Sequence, residues 1–288
     1  MSDIERVFVA GAGLMGHGIA QVHAVVGKRV TLYEPDPDRA NAGRDRIAGN
    51  LARSVDKGRM TAAQRDEALG RIEATGDPGA VASADLVIEA VFEDLEVKQR
   101  LWRGLDRSAP ASAIFASNTS SIGIHRLAEA VAAERRGRFV GMHFFSPVPV
   151  MPLVELIRSE ETTDETVATI RSLAGELGKQ VILSRDMPGF IVNRILMPFL
   201  ADAMRVYEQG ISSAEDIDTG ARVGLNHPMG PLALADFIGL DICLGIMRVL
   251  DDGLGLEHLR PPQVLVDLVA AGHLGQKTGQ GFHTYPRS

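Results

Sequence analysis

Arg6-Val7-Phe8-Val9-Ala10-Gly11-Ala12-Gly13-Leu14-Met15-Gly16 is the stretch of this 288-residue chain that decides its fold. A short apolar strand runs into Gly-x-Gly-x-x-Gly, and the apolar-rich segment Leu14 to Val26 that follows reads as a helix. Strand, glycine loop and helix in that order make an otherwise weak pattern specific for a dinucleotide. Gly11 makes the tight turn. Gly13 lets the backbone approach a pyrophosphate seated on the helix N-terminus, and Gly16 lets helix and strand pack closely. Ala12, Leu14 and Met15 complete the cofactor-binding loop. A second strand, Arg29 to Tyr33, ends at Glu34. A carboxylate there accepts hydrogen bonds from a ribose 2′-hydroxyl and repels a 2′-phosphate, which favours NAD over NADP.

Outward from this unit the alternation continues. Asp36-Pro37, a capping residue followed by proline at the first helical position, opens a helix to Lys57. Ala62 to Leu69 continues as helix, and Leu86 to Ala90 and Ile114 to Ser117 are apolar strands flanking the helix Leu95 to Leu105. After Asp164 come a helix to Leu177 and a strand Gln180 to Leu183. Near-continuously apolar strands alternating with helices indicate a parallel sheet covered on both faces. The composition shifts at Asp186-Met187-Pro188-Gly189, and the rest reads as helix: Phe190 to Gln209, kinked at Pro198, then Ser213 to Val223, Leu232 to Leu250 and Pro262 to Ala271. The fold class expected is α/β: a Rossmann-type, doubly wound, mostly parallel sheet over residues 1–186, then an all-helical C-terminal domain over residues 187–288.

Composition narrows the function. Hydrophobic residues make up 45% and charged residues 23%, as in soluble globular proteins. The net charge of −7, with no dense Lys/Arg run, argues against a nucleic-acid partner. Cys243, the one cysteine, has no intrachain partner, which fits a reducing compartment. Met1 to Glu5 lacks the charged start and apolar core of a signal peptide, and no apolar run approaches the ~20 residues of a membrane span. A cytoplasmic enzyme or binding protein with no membrane partner and no metal is expected.

The chemistry concentrates in Gly141 to Glu155, GMHFFSPVPVMPLVE. His143 ends one apolar run, Ser146-Pro147-Val148-Pro149 breaks it, and Glu155 lies in the next. Proline cannot continue a strand ladder, so the break is a turn or crossing. Two short strands folded about it would set His143 beside Glu155, and an imidazole next to a mostly buried carboxylate is a tuned general base. Ser117-Asn118-Thr119-Ser120-Ser121 follows an apolar strand, at the end where open α/β sheets bind ligands. Asn193 stands at the start of the first helix after the boundary. Each has a plainer reading: a core histidine, a strand-edge carboxylate, a capped turn, a first-turn polar residue.

Taken together, GAGLMG, FASNTSSI, GMHFFSPVPVMPLVEL, PGFIVNRIL, NHPMGPLALADFIGLD and GQKTGQGF resemble the short-chain L-3-hydroxyacyl-CoA dehydrogenase family, which includes 3-hydroxybutyryl-CoA dehydrogenase. The match runs in order from about Val7 to Tyr285. The resemblance implies His143 as catalytic base, Glu155 as its partner, and Ser117 and Asn193 near the reacting oxygen and the substrate. It implies that Glu93 and Lys98, with Ser117, Ser146 and Lys277, reach the remainder of NAD, and that Asn50 and Lys57 meet coenzyme A. The basic group Arg53, Lys57 and Arg59 suits a phosphate-bearing carrier, though it equally suits a solvated helix face. The implied reaction is NAD-dependent interconversion of a (S)-3-hydroxyacyl-CoA and a 3-oxoacyl-CoA. Domain closure would exclude water, and the enzyme would act as a homodimer through the second domain.

Two positions depart from the commonest family pattern. Ser146 replaces an asparagine, as it does in larger multifunctional relatives, and Pro152 replaces a lysine. Both bear on the substrate, and a hydroxyacyl group on an acyl carrier protein, or a polar hydroxyacyl-CoA, is the nearest rival. A silent NAD sensor has no need of a base. A lysine-dependent β-hydroxyacid dehydrogenase needs a lysine near residue 193, where Arg194 stands.

Overall fold

A computed structural model describes residues 2–286. The chain forms two compact units, one running to Met187 and the other from Pro188. The first is built on eight strands: β1 (Arg6–Ala10), β2 (Arg29–Tyr33), β3 (Ile72–Thr75), β4 (Leu86–Glu89), β5 (Ile114–Ser117), β6 (Phe139–Phe144), β7 (Leu153–Arg158) and β8 (Gln180–Arg185). They lie in one sheet in the order β3-β2-β1-β4-β5-β6-β7-β8. Every adjacent pair is parallel except β6 and β7. The order 3-2-1-4-5-6 is that of a doubly wound dinucleotide fold, with the topological switch between β1 and β4.

The helices of this unit are α1 (Leu14–Val25), α2 (Pro37–Asp56), α3 (Ala62–Gly70), α4 (Leu95–Asp106), α5 (Ile124–Ala128), α6 (Ala133–Arg136) and α7 (Asp164–Glu176). Their ends follow local chemistry. Asp36 caps α2 and Asp94 caps α4, while Thr61 and Gln64 form a reciprocal capping box on α3. The core joins α1, α2 and α7 to the strands through residues such as Val9, Ile19, Leu32, Ile47, Ile88 and Leu156. Beside it Trp102 of α4 stacks on Phe115 and meets Phe139 edge-on, with ring centroids 4.9 and 5.0 Å apart. Burial of these side chains drives the layered packing.

β3 went unread in the sequence. Its four residues, Ile-Glu-Ala-Thr, form an edge strand with one fully buried side chain, too few to give an apolar run.

The second unit packs α8 (Val192–Glu208), α9 (Ala214–Thr219), α10 (Pro231–Ile238), α11 (Leu240–Leu254) and α12 (Gln263–Ala270) around Met197, Leu200, Met204, Leu232, Leu244 and Met247. Two expectations need correction. The stretch Leu232 to Leu250 is not one helix: Gly239, at φ 106° and ψ 123°, ends α10 and starts α11. That backbone conformation is open to glycine and strained for other residues. The first helix begins at Val192 rather than Phe190, because Gly189 and Phe190 both have positive φ. Pro198 lies inside that helix.

Two buried carboxylates close the second unit. Asp218 accepts the N–H groups of Leu232 and Ala233 at the start of α10 and lies 2.7 Å from His283 Nε2. Asp236, within α10, accepts Phe282 N–H, His283 N–H and the Tyr285 hydroxyl. Among the described residues no helix is long and apolar enough to cross a membrane.

His23 on α1 supplies a pH test of the first unit. It is fully buried, with Nδ1 2.8 Å from Ile19 O. Burial pushes its imidazole down to about 4, assisted by the Lys28 and Lys179 ammonium groups and opposed by the Ile19 carbonyl. The unfolded chain, with an ordinary histidine near 6.5, therefore binds a proton that the native state refuses. Stability from neutral His23 is complete above the unfolded value and is lost as pH falls toward the folded one. Denaturant titrations should show the wild type losing roughly 1–2 kcal/mol more than His23→Leu between about pH 7 and about pH 5. Identical losses would refute the assignment.

Candidate active site

The glycine loop leaves β1 and enters α1 as the sequence indicates. Gly16 packs so tightly that a Cβ there would sit 1.7 Å from Gly11 O, whereas one at Gly13 would meet nothing within 4 Å. The loop thus closes on the sheet at Gly16 and stays open at Gly13. No side chain caps α1, and its first turn holds no acidic residue. Its leading N–H groups and helix dipole suit an anionic pyrophosphate. Glu34, just past β2, accepts a hydrogen bond from Ala12 N–H at 3.2 Å, and Arg39 lies 4.0 Å from its other oxygen. Next to it a cavity of about 480 Å³ is lined by Gly11, Tyr33, Pro35, Val91, Val97 and Leu101. Its apolar walls beside a carboxylate suit an adenosine, so the residues present fit a dinucleotide.

β6 and β7 carry the acid–base pair. In their antiparallel register His143 is directly opposite Glu155, and Nδ1 lies 2.7 Å from Oε2. Glu155 is fully buried and His143 is 7% exposed. Donation of Nδ1–H to the carboxylate leaves Nε2 as the basic nitrogen. The intervening Ser146-Pro147 peptide is cis, and both Ser146 and Pro152 are exposed.

The loop after β5 begins at Ser117, which is fully buried and whose hydroxyl donates to Glu89 Oε2 at 2.6 Å. Farther along, Ser120 is partly exposed. Asn118 Oδ1 accepts Phe144 N–H at 2.9 Å, fastening this loop beside His143. Glu93 gathers the loop: its Oε1 accepts Thr119 Oγ1, Ser120 N–H and Ser121 N–H at 2.5, 2.9 and 3.0 Å. Burial opposes its ionisation, but Lys98 and these hydrogen bonds outweigh that and hold the carboxyl below its usual range. Lys98 lies beneath Glu93. It is 1% exposed, with its ammonium 2.5 Å from Glu89 and 3.1 Å from Glu93, so it braces carboxylates from beneath the surface.

The remaining candidates lie on α2 and in the second unit. Asn50 and Lys57 sit two turns apart toward the end of α2; Asn50 bonds Gln21 and Arg53, and Lys57 is exposed. In the second unit Asn193 occupies the first turn of α8 and is buried, while Lys277 pairs with Asp241 at 2.5 Å. Sequence reading missed Glu89, and within the cluster 117–121 it did not separate Asn118 and Ser120 from their neighbours. The signal for Glu89 was a carboxylate closing an apolar strand, as Glu34 follows β2. Among the described residues no group of three or more His, Cys, Asp or Glu side chains is arranged to hold a metal ion.

Comparison with known proteins agrees with this geometry. Residues 6–187 match the 3-hydroxyacyl-CoA dehydrogenase NAD binding domain, and residues 189–285 match the C-terminal domain of the same family. The chain belongs to the 3-hydroxyacyl-CoA dehydrogenase family. It is 48% identical over 282 residues to a 3-hydroxybutyryl-CoA dehydrogenase of Bradyrhizobium diazoefficiens, covering 98% of this chain and 96% of the relative. Identity to human mitochondrial hydroxyacyl-coenzyme A dehydrogenase is 40% over 289 residues, covering 98% and 91%. The crystal structure of (S)-3-hydroxybutyryl-CoA dehydrogenase PaaH1 from Ralstonia eutropha superposes with a TM-score of 0.96 at 43% identity, covering 99% and 100%. NAD is therefore the cofactor of this family member, and an α/β dinucleotide fold followed by a helical unit is its architecture.

Glu34 then carries a testable consequence. Replacing it with serine removes the charge that repels a 2′-phosphate and releases the nearby Arg39, which is 60% exposed. The ratio of kcat/KM with NAD to that with NADP should fall by roughly 10- to 100-fold in Glu34→Ser. An unchanged ratio would place cofactor choice elsewhere.

Proposed function

We propose that this chain interconverts (S)-3-hydroxyacyl-CoA and 3-oxoacyl-CoA, with short acyl chains such as 3-hydroxybutyryl as substrate. The observation that carries the reading is the buried His143–Glu155 pair, joined at 2.7 Å on the sheet of an NAD-binding unit. Bound NAD⁺ supplies the hydride acceptor. His143 Nε2 takes the proton of the C3 hydroxyl and returns it in the reverse direction. Glu155 holds the proton on Nδ1, fixes the ring, and stabilises the imidazolium as it forms. The loop after β5 supplies the hydroxyl assigned to the reacting oxygen, from Ser117, held by Glu89 at 2.6 Å, or from the more exposed Ser120, whose Oγ lies 3.4 Å from Glu93 Oε1. Asn193 and Lys277 keep the roles that the family resemblance implies, as do Asn50 and Lys57 toward the coenzyme A portion.

Steady-state assays following NADH with a panel of 3-hydroxyacyl-CoA thioesters should show highest kcat/KM for the short chains. Carrier-protein thioesters of the same acyl groups should be poor substrates, and a preference for them would overturn the coenzyme A assignment. His143→Gln and Glu155→Gln should each lower kcat at least ~100-fold, the lower range for loss of a general base. Near-normal turnover in His143→Gln would sink the mechanism.

The second unit is also assigned to self-association. Ile211, Val223, Leu225 and Phe237 are 66%, 77%, 64% and 62% exposed, more apolar surface than a short helical unit gains from leaving in water. A homodimer through this unit buries them. Sedimentation at about micromolar concentration should give a dimer, and Phe237→Asp should shift it toward monomer. A wild-type monomer would refute this.

A further inference from the structure

Glu89 is a charged residue that the proposed proton transfer does not use. It closes β4, is fully buried, and is the one ionisable side chain in Leu-Val-Ile-Glu. Oε1 accepts Lys98 Nζ at 2.5 Å and Val91 N–H at 2.8 Å, and Oε2 accepts the Ser117 hydroxyl at 2.6 Å. The ammonium of Lys98 is shared with Glu93. Two carboxylates thus divide one cation, and the trio carries a formal charge of −1. Burying unbalanced charge is costly, and a neutral acceptor would serve Val91 and Ser117 without requiring a buried lysine. The position of this excess charge gives it a use.

β1 and β4 flank the topological switch, where a dinucleotide crosses the carboxyl ends of the strands. Glu34 and the apolar cavity assign the adenosine half to the β1–β2 side. The nicotinamide half falls to the side of β4, β5 and His143. Its ring is cationic when oxidised and neutral when reduced. We propose that Glu89 is a specificity-determining residue for the redox state of the cofactor, its negative charge favouring NAD⁺ over NADH at the end of β4. The inference rests on NAD as the cofactor and requires no direct contact, since a charge in a water-poor site acts over several ångströms. Ser117 and Lys98 are then the supports that hold this carboxylate in place.

Dissociation constants for NAD⁺ and NADH, measured on the full chain by calorimetry and by NADH fluorescence, test it. In Glu89→Gln the ratio Kd(NAD⁺)/Kd(NADH) should rise roughly 3- to 30-fold, the span for one elementary charge in a partly screened site. Ser117→Ala removes a hydrogen bond but no charge, and should leave the ratio within about twofold of wild type. Glu89→Gln combined with Lys98→Met restores a net charge of −1 and should return the ratio toward wild type. Should Glu89→Gln not fold, Glu93→Gln deletes the same charge from the partly exposed end of the trio and should move the ratio the same way. Equal weakening of both cofactors, with the ratio unchanged in the folded variant, overturns the proposal and leaves NAD binding intact. Failure of the wild type to bind either cofactor would instead overturn the cofactor assignment beneath it.

Discussion

Because β7 runs against β6, residues twelve apart in sequence become cross-strand neighbours, and His143 meets Glu155 inside the sheet. The pairing leaves little freedom. A slip of β7 by one residue would turn Glu155 to the face opposite His143 and part the pair. Glu155 is fully enclosed, so its negative charge has to be answered by protein groups, and the imidazole opposite it is one of them. The reversal of strand direction therefore does two things at once. It ends the run of parallel strands at β6, and it supplies the one geometry in which a short, proline-broken loop returns a carboxylate to a histidine.

The neighbouring strand ends extend this arrangement across the sheet. Glu89 on β4, Ser117 on β5 and Gly141 on β6 lie in one register row, and the loop after β5 is tied to Phe144 through Asn118. Glu89 and Ser117 in this row are fixed to one another before any ligand arrives. Preorganisation of that kind lets polar groups act on a bound molecule without reorganising during the reaction. Almost all of the fixing uses charge-assisted hydrogen bonds, which are short and directional.

Much of this was legible in the residues, and the failures have physical causes. The glycine loop, Glu34 and the His143–Glu155 segment were readable because each couples a chemical requirement to a local pattern. Within Ser117-Asn118-Thr119-Ser120-Ser121 the pattern gives out. A strand end no longer alternates regularly, so composition cannot say which serine turns inward to Glu89 and which stays accessible. The burial of Lys98 was hidden for a related reason: lysine is rarely buried, and only the fold shows that Glu89 and Glu93, nine and five residues earlier, both turn to its ammonium. The break at Gly239 was hidden because apolar residues continue on both sides of it.

Asp218 and Asp236 impose an order of events on the second unit. The N–H groups at the start of α10 depend on Asp218, which also holds His283, and Asp236 inside α10 is satisfied by residues 282, 283 and 285. Until those residues exist, a carboxylate meant for the interior lacks the donors that make burial tolerable. During synthesis the first unit can gather its sheet while the rest of the chain is still being made. In the helical unit, by contrast, the carboxylate inside α10 gains its donors only from residues 282, 283 and 285 near the end of the unit. The unit's apolar core and its two buried carboxylates are thus completed together, by residues 282 to 285.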